Sequence, residues 1–341
     1  MAAAGQLFGP EARRYADPAT DLPVVRLTDP AFSSGMSAPY LSQFGRRTNF
    51  LLYWSDRSGS RQVFHLDLKT AESKQLTDAA ALDPATIALS PDERTFTYFD
   101  GPTLRETTLG TLRTRDLYKI PDAAPRTAIT TGGDGSVFFA QTAAGRSRVF
   151  RVSRLRTGPI SEFATPVDLI LARPRHFQMA CRTTDGVWLM NFDGSGKRHL
   201  TFEAGATGEM MWAPSGRSIV YLHKPSDLKQ LVTAREYLPD DNTDRLIAKT
   251  SQFATLAPNS DASVFVGASW SRASAYVLIL LRVTRRELTL CEHRASDPHM
   301  AYPVFSPDSQ SVFFVSDRDG KSAIYRIHIE KFVEQTSDET P

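Results

Sequence analysis

Three patterns in this 341-residue chain predict an all-β fold, a seven-bladed β-propeller. The first is a hairpin that recurs without a gap. Leu52-Tyr53-Trp54-Ser55-Asp56-Arg57-Ser58-Gly59 runs into Val63-Phe64-His65-Leu66-Asp67-Leu68, and Phe313-Phe314-Val315-Ser316-Asp317-Arg318-Asp319-Gly320 runs into Ile324-Tyr325-Arg326-Ile327-His328-Ile329. The second is a turn signature of Ser or Pro with Asp or Gly just before an apolar strand. The third is its spacing. The turns fall near residues 45, 92, 134, 215, 261 and 308, so the gaps are 47, 42, 81, 46 and 47. A gap of 81 holds two units, which makes seven. Repeats of about 40–50 residues carrying short alternating strands are the signature of a propeller. A pair of β-sandwiches would not repeat one hairpin at a fixed period.

The blades follow in order. Residues 40–85 form the first, with Phe44-Gly45 before Phe50-Leu51-Leu52, then the hairpin and an outer Gln75-Leu76-Thr77. In its second arm Val63, His65 and Asp67 alternate with Phe64, Leu66 and Leu68, which buries one face. Residues 86–127 place Ser90-Pro91-Asp92 before Phe96-Thr97-Tyr98-Phe99, and residues 128–168 place Gly133-Asp134-Gly135 before Val137-Phe138-Phe139. Residues 169–208 need a degenerate turn near 174–177, followed by Met179-Ala180-Cys181, Val187-Trp188-Leu189-Met190 and His199-Leu200-Thr201. Residues 209–254 carry Ala213-Pro214-Ser215-Gly216 before Ile219-Val220-Tyr221-Leu222, with a strand and an irregular loop expected in 226–248. Residues 255–299 carry Pro258-Asn259-Ser260-Asp261 before Val264-Phe265-Val266, and residues 300–332 carry Ser306-Pro307-Asp308. The last unit ends too soon to supply its own outer strand. Val24-Val25-Arg26-Leu27-Thr28, which precedes the first turn, has the outer-strand form, so residues 22–28 are expected to close the ring in the last blade. The polar tail from Glu334 to Pro341 is expected to fray.

Composition narrows the function. Lys and Arg total 40 against 38 Asp and Glu, too even a balance to imply a nucleic-acid partner. The longest strongly apolar stretch, residues 275–281, is far below the roughly 20 residues a membrane helix needs, so no membrane is expected. The first 30 residues hold Arg13, Arg14, Asp17, Asp21 and four prolines without an apolar core, so the expected address is the cytoplasm. Cys181 and Cys291 form no CxxC pair, which excludes a cysteine zinc site. There is no HExxH, GxSxG, P-loop or dinucleotide fingerprint. The basic run Arg146, Arg148, Arg151, Arg154 and Arg156, followed by Arg173, Arg175 and Arg182, reads as a solvated strand or as an anion-binding face. Trp54, Trp188 and Trp212 are expected between blades and not in a ligand cage.

The order of these signatures resembles the oligogalacturonate lyase family of seven-bladed propellers. The stretches that carry it are Asp17-Pro18-Ala19-Thr20 to Thr28, Leu66-Asp67-Leu68 to Gln75-Leu76-Thr77 with Leu89-Ser90-Pro91-Asp92, Arg173-Pro174 to Asn191-Phe192-Asp193-Gly194, and Pro303-Val304-Phe305-Ser306-Pro307-Asp308 to Ile324-Tyr325. TolB-like propellers share part of this grammar and are the second choice. The resemblance implies β-elimination of short acidic oligosaccharides, with a divalent metal such as manganese on the uronate carboxylate and a base at the C5 proton. It also implies three His and one Gln as ligands. By counting, those positions hold Met300, Tyr302, Thr255 and Asp297, and the position of a catalytic His holds Glu209. Two expectations therefore stand side by side. Asp297, His299 and Glu209 form a poor oxygen-rich metal site, or the metal is absent and the relative is a degenerate lyase or a non-catalytic binding module. Arg173, Arg175 and Tyr302 are the candidate substrate-binding residues.

Overall fold

The computed structural model describes residues 3–47, 49–121, 126–127, 129–227, 229–250 and 252–329, so the tail from Glu334 to Pro341 lies outside the described residues. Its strands form seven antiparallel sheets, five of them built from consecutive strands and two, the first and the last, completed by strands from the N-terminal segment. The first strands of the blades are Ser34–Gly35, Ala88–Leu89, Thr130–Thr131, Val167–Ala172, Ala206–Trp212, Ala257–Pro258 and Val304–Phe305. Those of blades three to seven line one apolar space of about 200 Å³, which marks the axis. The last blade takes its outer strands from the N-terminus: Pro23–Arg26 pairs antiparallel with Ala323–His328, and Arg13–Ala16 lies outside it. Thr28 locks this closure by accepting the Ile324 N–H on its hydroxyl at 3.0 Å. Asp17 ties it to blade six, accepting the Glu292 N–H at 2.9 Å while the Thr20 hydroxyl donates to the Leu290 carbonyl at 2.8 Å.

Local chemistry explains why the turns repeat. In the Ser-Pro-Asp turns, the serine hydroxyl donates to the aspartate and also accepts the N–H that starts the next strand, as in Ser90 with Asp92 and Thr95 and in Ser306 with Asp308 and Ser311. The residue that follows turns left-handed: Glu93 (φ 57°), Gly135 (78°), Arg175 (61°), Gly216 (73°), Ala262 (60°) and Ser309 (60°) occupy this slot in blades two to seven. Arg175 is thus the degenerate turn expected in blade four. A non-glycine residue there costs about 1–2 kcal/mol, which the side-chain hydrogen bonds of the turn offset.

Two segments differ from expectation. Residues 226–248 hold two strands where one strand and an irregular loop are expected. Strands Val232–Leu238 and Thr243–Thr250 flank a short turn, with Tyr237 Oη donating to Asn242. The first of these strands is covered on both faces, with Thr233, Ala234, Glu236 and Tyr237 buried, and Arg235 pairs with Asp244 at 2.9 Å. The short helix Pro298–Ala301, capped by Asp297, interrupts the approach to blade seven. No helix among the described residues is long and apolar enough to cross a membrane.

The blades are held to one another by aromatic rings and arginines. Trp212 Nε1 donates to the Leu171 carbonyl at 3.0 Å, and Trp54 and Trp188 pack half-buried against the clusters of blades two and four. The backbone also comes close between blades. A Cβ on Gly216 would lie 2.1 Å from the Pro174 carbonyl oxygen, whereas one on Gly135, at nearly the same φ, would meet nothing within 4 Å. This pair separates conformational strain from inter-blade contact. Gly135→Ala is expected to cost about 1 kcal/mol, the strain of a left-handed alanine. Gly216→Ala should cost several times more, because backbone must move as well. Denaturant midpoints of the two variants measure the difference.

Candidate functional site

One end of the axis carries polar and charged side chains, and the other is apolar. A cleft of about 730 Å³ opens between blades four and five and runs from His199 and Phe202 at the outside to Glu209, Lys224 and His299 near the axis. Its inner wall exists because two first strands bulge. The register slips between Val167 and Leu169, extruding Asp168, and between Thr207 and Met210, extruding Gly208 and Glu209. A bulge re-aims a side chain that regular pairing would point into a sheet.

Glu209 is half-buried, and its carboxylate has no hydrogen-bond partner among the described residues. Burial raises its pKa above the ordinary carboxylate value, against the opposing pull of His299, Arg182 and Lys224. Tyr40 and Tyr302 face the same carboxyl. Burial raises both phenols, and the Glu209 charge raises them further. Tyr302 ends the short helix in a left-handed conformation (φ 38°), which turns the chain back toward blade seven's first strand.

The cations on the opposite wall are held differently. Arg182 donates from Nε to both oxygens of Asp168 (3.0 and 3.1 Å) and from Nη1 to the Gly208 carbonyl at 2.9 Å. Lys224 ends blade five's second strand opposite Ala206, is exposed, and has no ion pair among the described residues. Its stem crosses Gly208, where a Cβ would lie 3.9 Å from Lys224 Cε and 3.3 Å from the Leu222 carbonyl.

The fold thus brings Glu209, His299 and Tyr302 together. Asp297 stands one step back, its carboxylate accepting the His299 N–H at 2.9 Å. Arg173 and Arg175 lie elsewhere. Asp168 is the second residue of the first strand Val167–Ala172 and Arg173 follows its end, so five residue steps, about 17 Å, separate them along the axis. Arg173 is buried, pairs with Asp240 at 2.9 and 2.5 Å, donates to the Gly216 carbonyl at 2.7 Å and lies 5.2 Å from the Trp212 ring centre. It pins blade four to blade five at the apolar end. Arg175 is exposed in the adjoining turn. Arg148 and Arg151 are paired with Glu162 and Asp134 on blade three, each at 2.8 Å; Arg146 and Arg148 are exposed on the strand Arg146–Val152, and Arg154 and Arg156 are exposed in the turn that follows it.

Sequence reading passed over Lys224, Tyr40 and Asp168. Lys224 and Arg182 do share a signal, since both lie near the C-terminal end of a second strand, just before the turn at the polar end of the axis.

The residues present do not fit a manganese ion. Among the described residues, no group of three or more His, Cys, Asp or Glu could hold a metal. Asp297 is engaged as a helix cap, and the remaining ligand positions carry Met300, Tyr302 and Thr255, which lack the imidazole donors the resemblance implies.

No protein-family model matches the chain. It is 22% identical to the oligogalacturonate lyase of Dickeya dadantii over 375 residues, covering 91% of this chain and 94% of that protein. It is 23% identical to the oligogalacturonide lyase of Pectobacterium atrosepticum over 380 residues, with the same coverage of 91% and 94%. Among solved structures, an oligogalacturonate lyase in complex with manganese superposes with a TM-score of 0.89 at 21% identity, covering 97% of this chain and 99% of that one. TolB from Acinetobacter baumannii reaches 0.50 at 12% identity, covering 84% and 65%. In class, then, the protein is a single seven-bladed propeller with a charged cleft at one end of its axis. Its sequence and fold together fit a divergent member of the oligogalacturonate lyase family.

The unpartnered Glu209 has a consequence for stability. Its folded-state pKa exceeds the unfolded value, so the folded protein prefers the neutral acid. That preference is fully present below the unfolded pKa and is lost as pH rises through the folded one. Glu209→Gln should therefore melt higher than the parent at neutral pH, and the gap should close below about pH 4, where both chains are neutral at this position. Melting temperature against pH for the two proteins tests it.

Proposed function

We propose that this propeller acts on short uronic-acid oligosaccharides in the axial cleft, by a β-elimination in which Glu209 is the base. The observation that carries this reading is the placing of an unpartnered carboxylate beside two cations at the polar end of the axis. Its support from outside the chain is the likeness in sequence and fold to oligogalacturonate lyases.

The chemistry asks for two things. The sugar carboxylate must be neutralised so that the adjacent C5 proton becomes acidic, and a base must stand at that proton. In the step proposed, the Glu209 carboxylate takes the C5 proton and the C5–H electron pair becomes the C4–C5 double bond. The C4–O bond breaks, its electrons leave on the glycosidic oxygen, and a proton from solvent or the Tyr302 hydroxyl completes the new alcohol. Poor solvation suits Glu209 to this work, because a desolvated carboxylate is a stronger base than one in water. Tyr40 and Tyr302 would flank the sugar ring. Arg173 and Arg175, at the other end of the axis, have no part in this reading.

The mismatch of the ligand positions supports a second reading, a non-catalytic binding module that keeps the propeller and the cleft. One experiment divides the two. Trigalacturonate is incubated with the protein across a pH series, with and without manganese, and the ultraviolet absorbance of the unsaturated uronate product is followed. The elimination reading expects product that increases as pH rises through the raised titration range of Glu209, and a fall of at least about a hundredfold in Glu209→Gln, the scale of a lost general base. Bound trigalacturonate with no product at any pH or manganese concentration would favour the binding module.

A further inference from the structure

We infer that the cleft grips the uronate carboxylate with Arg182 and Lys224, which take the place a divalent metal would hold. The inference rests on the uronate reading above and deepens it by naming how the anion is recognised.

The geometry of Arg182 is the first support. A guanidinium carries five N–H groups in one plane. Asp168 occupies the Nε–H, and its Oδ2 also lies 3.0 Å from Nη2, while the Gly208 carbonyl occupies one N–H of Nη1. Three contacts from five donors leave two, one on each terminal nitrogen, and the side chain is 25% exposed. The same contacts fix the plane. A guanidinium already held in place loses little freedom when a carboxylate docks on its free edge.

Lys224 is the second support. An exposed ammonium without an ion pair is an ordinary surface feature, but this one sits on the cleft wall beside the Glu209 bulge. The Lys224 stem passes over Gly208, where a Cβ would be in ordinary contact with Lys224 Cε at 3.9 Å and tight against the Leu222 carbonyl at 3.3 Å. His299, Arg182 and Lys224 line the same cleft as Glu209, and each lowers the cost of a negative charge there. Four acidic groups line this cleft: Asp168, bonded to Arg182; Asp185, which accepts from the Thr165 and Thr184 hydroxyls; Glu203, paired with Arg235; and Glu209 itself.

The third support is the failure of the metal fit. Where His ligands are expected the chain has Met300, Tyr302 and Thr255, none of which replaces an imidazole on a borderline metal. A bidentate arginine with a neighbouring lysine does the same electrostatic work on a carboxylate: both neutralise the charge that otherwise disfavours an anion at C5.

The test is calorimetric titration of the full chain with trigalacturonate, in EDTA and then in excess manganese, with the methyl-esterified trimer as the uncharged probe. The inference expects binding in EDTA that manganese does not strengthen, weaker binding of the ester, and a loss of about tenfold in affinity in Lys224→Met. Lys224→Arg keeps the charge and should stay within about threefold of the parent. It serves as the folded control, with circular dichroism melts of both variants. Binding that requires manganese would overturn the cation clamp and leave the uronate reading intact. Equal affinity of the parent and a folded Lys224→Met in EDTA would also overturn the clamp. No binding in either buffer would overturn the uronate reading itself, and the clamp with it.

Discussion

The antiparallel pairing of Pro23–Arg26 with Ala323–His328 is the interaction on which the rest of the structure depends. A propeller blade gains most of its stability by packing on two neighbours, so an open ring leaves two unpaired faces and two sheet edges. Here the first and last parts of the chain share one sheet. The closure is fastened by Thr28 on Ile324 within the blade and by Asp17 and Thr20 on the blade before it. Only a closed ring brings seven first strands close enough to make an axis, and the candidate site is a property of that axis.

The two ends of the axis are specialised by different physics. At one end, turns, prolines and aromatic rings pack tightly, and a buried arginine pins blades four and five. Arg173 is satisfied on every side by Asp240, Gly216, Gln178 and Trp212, so its charge is consumed by structure. At the other end, bulges push Asp168 and Glu209 out of register, and strand ends present Arg182 and Lys224. There Glu209 keeps a desolvation cost that His299, Arg182 and Lys224 offset only in part, which a folded protein retains where a site needs it. The contrast between a fully engaged arginine and an unpartnered carboxylate separates framework from function more clearly than residue type does.

On the proposed reading, a uronate carboxylate that no metal neutralises needs other positive charge. Met300, Tyr302 and Thr255 offer no imidazole, and Arg182 and Lys224, on the second strands of blades four and five, would supply that charge in the cleft.

The repeated turn-and-strand pattern was enough to establish an all-β propeller of seven blades and its closing strand, because period-two alternation and turn chemistry are local and survive divergence. Even the degenerate turn of blade four was legible from spacing, and Arg175 occupies its left-handed slot. What only the tertiary structure decided is which charges meet. Arg173 and Asp168 are five residues apart in blade four yet serve opposite ends of the axis, whereas Arg182, Lys224 and His299 come from three separate parts of the chain to act on one carboxyl. Bulges and αL turns decide such meetings. They depend on a one- or two-residue slip in a ladder, which leaves the hydrophobic pattern of the strand unchanged and is therefore invisible to it.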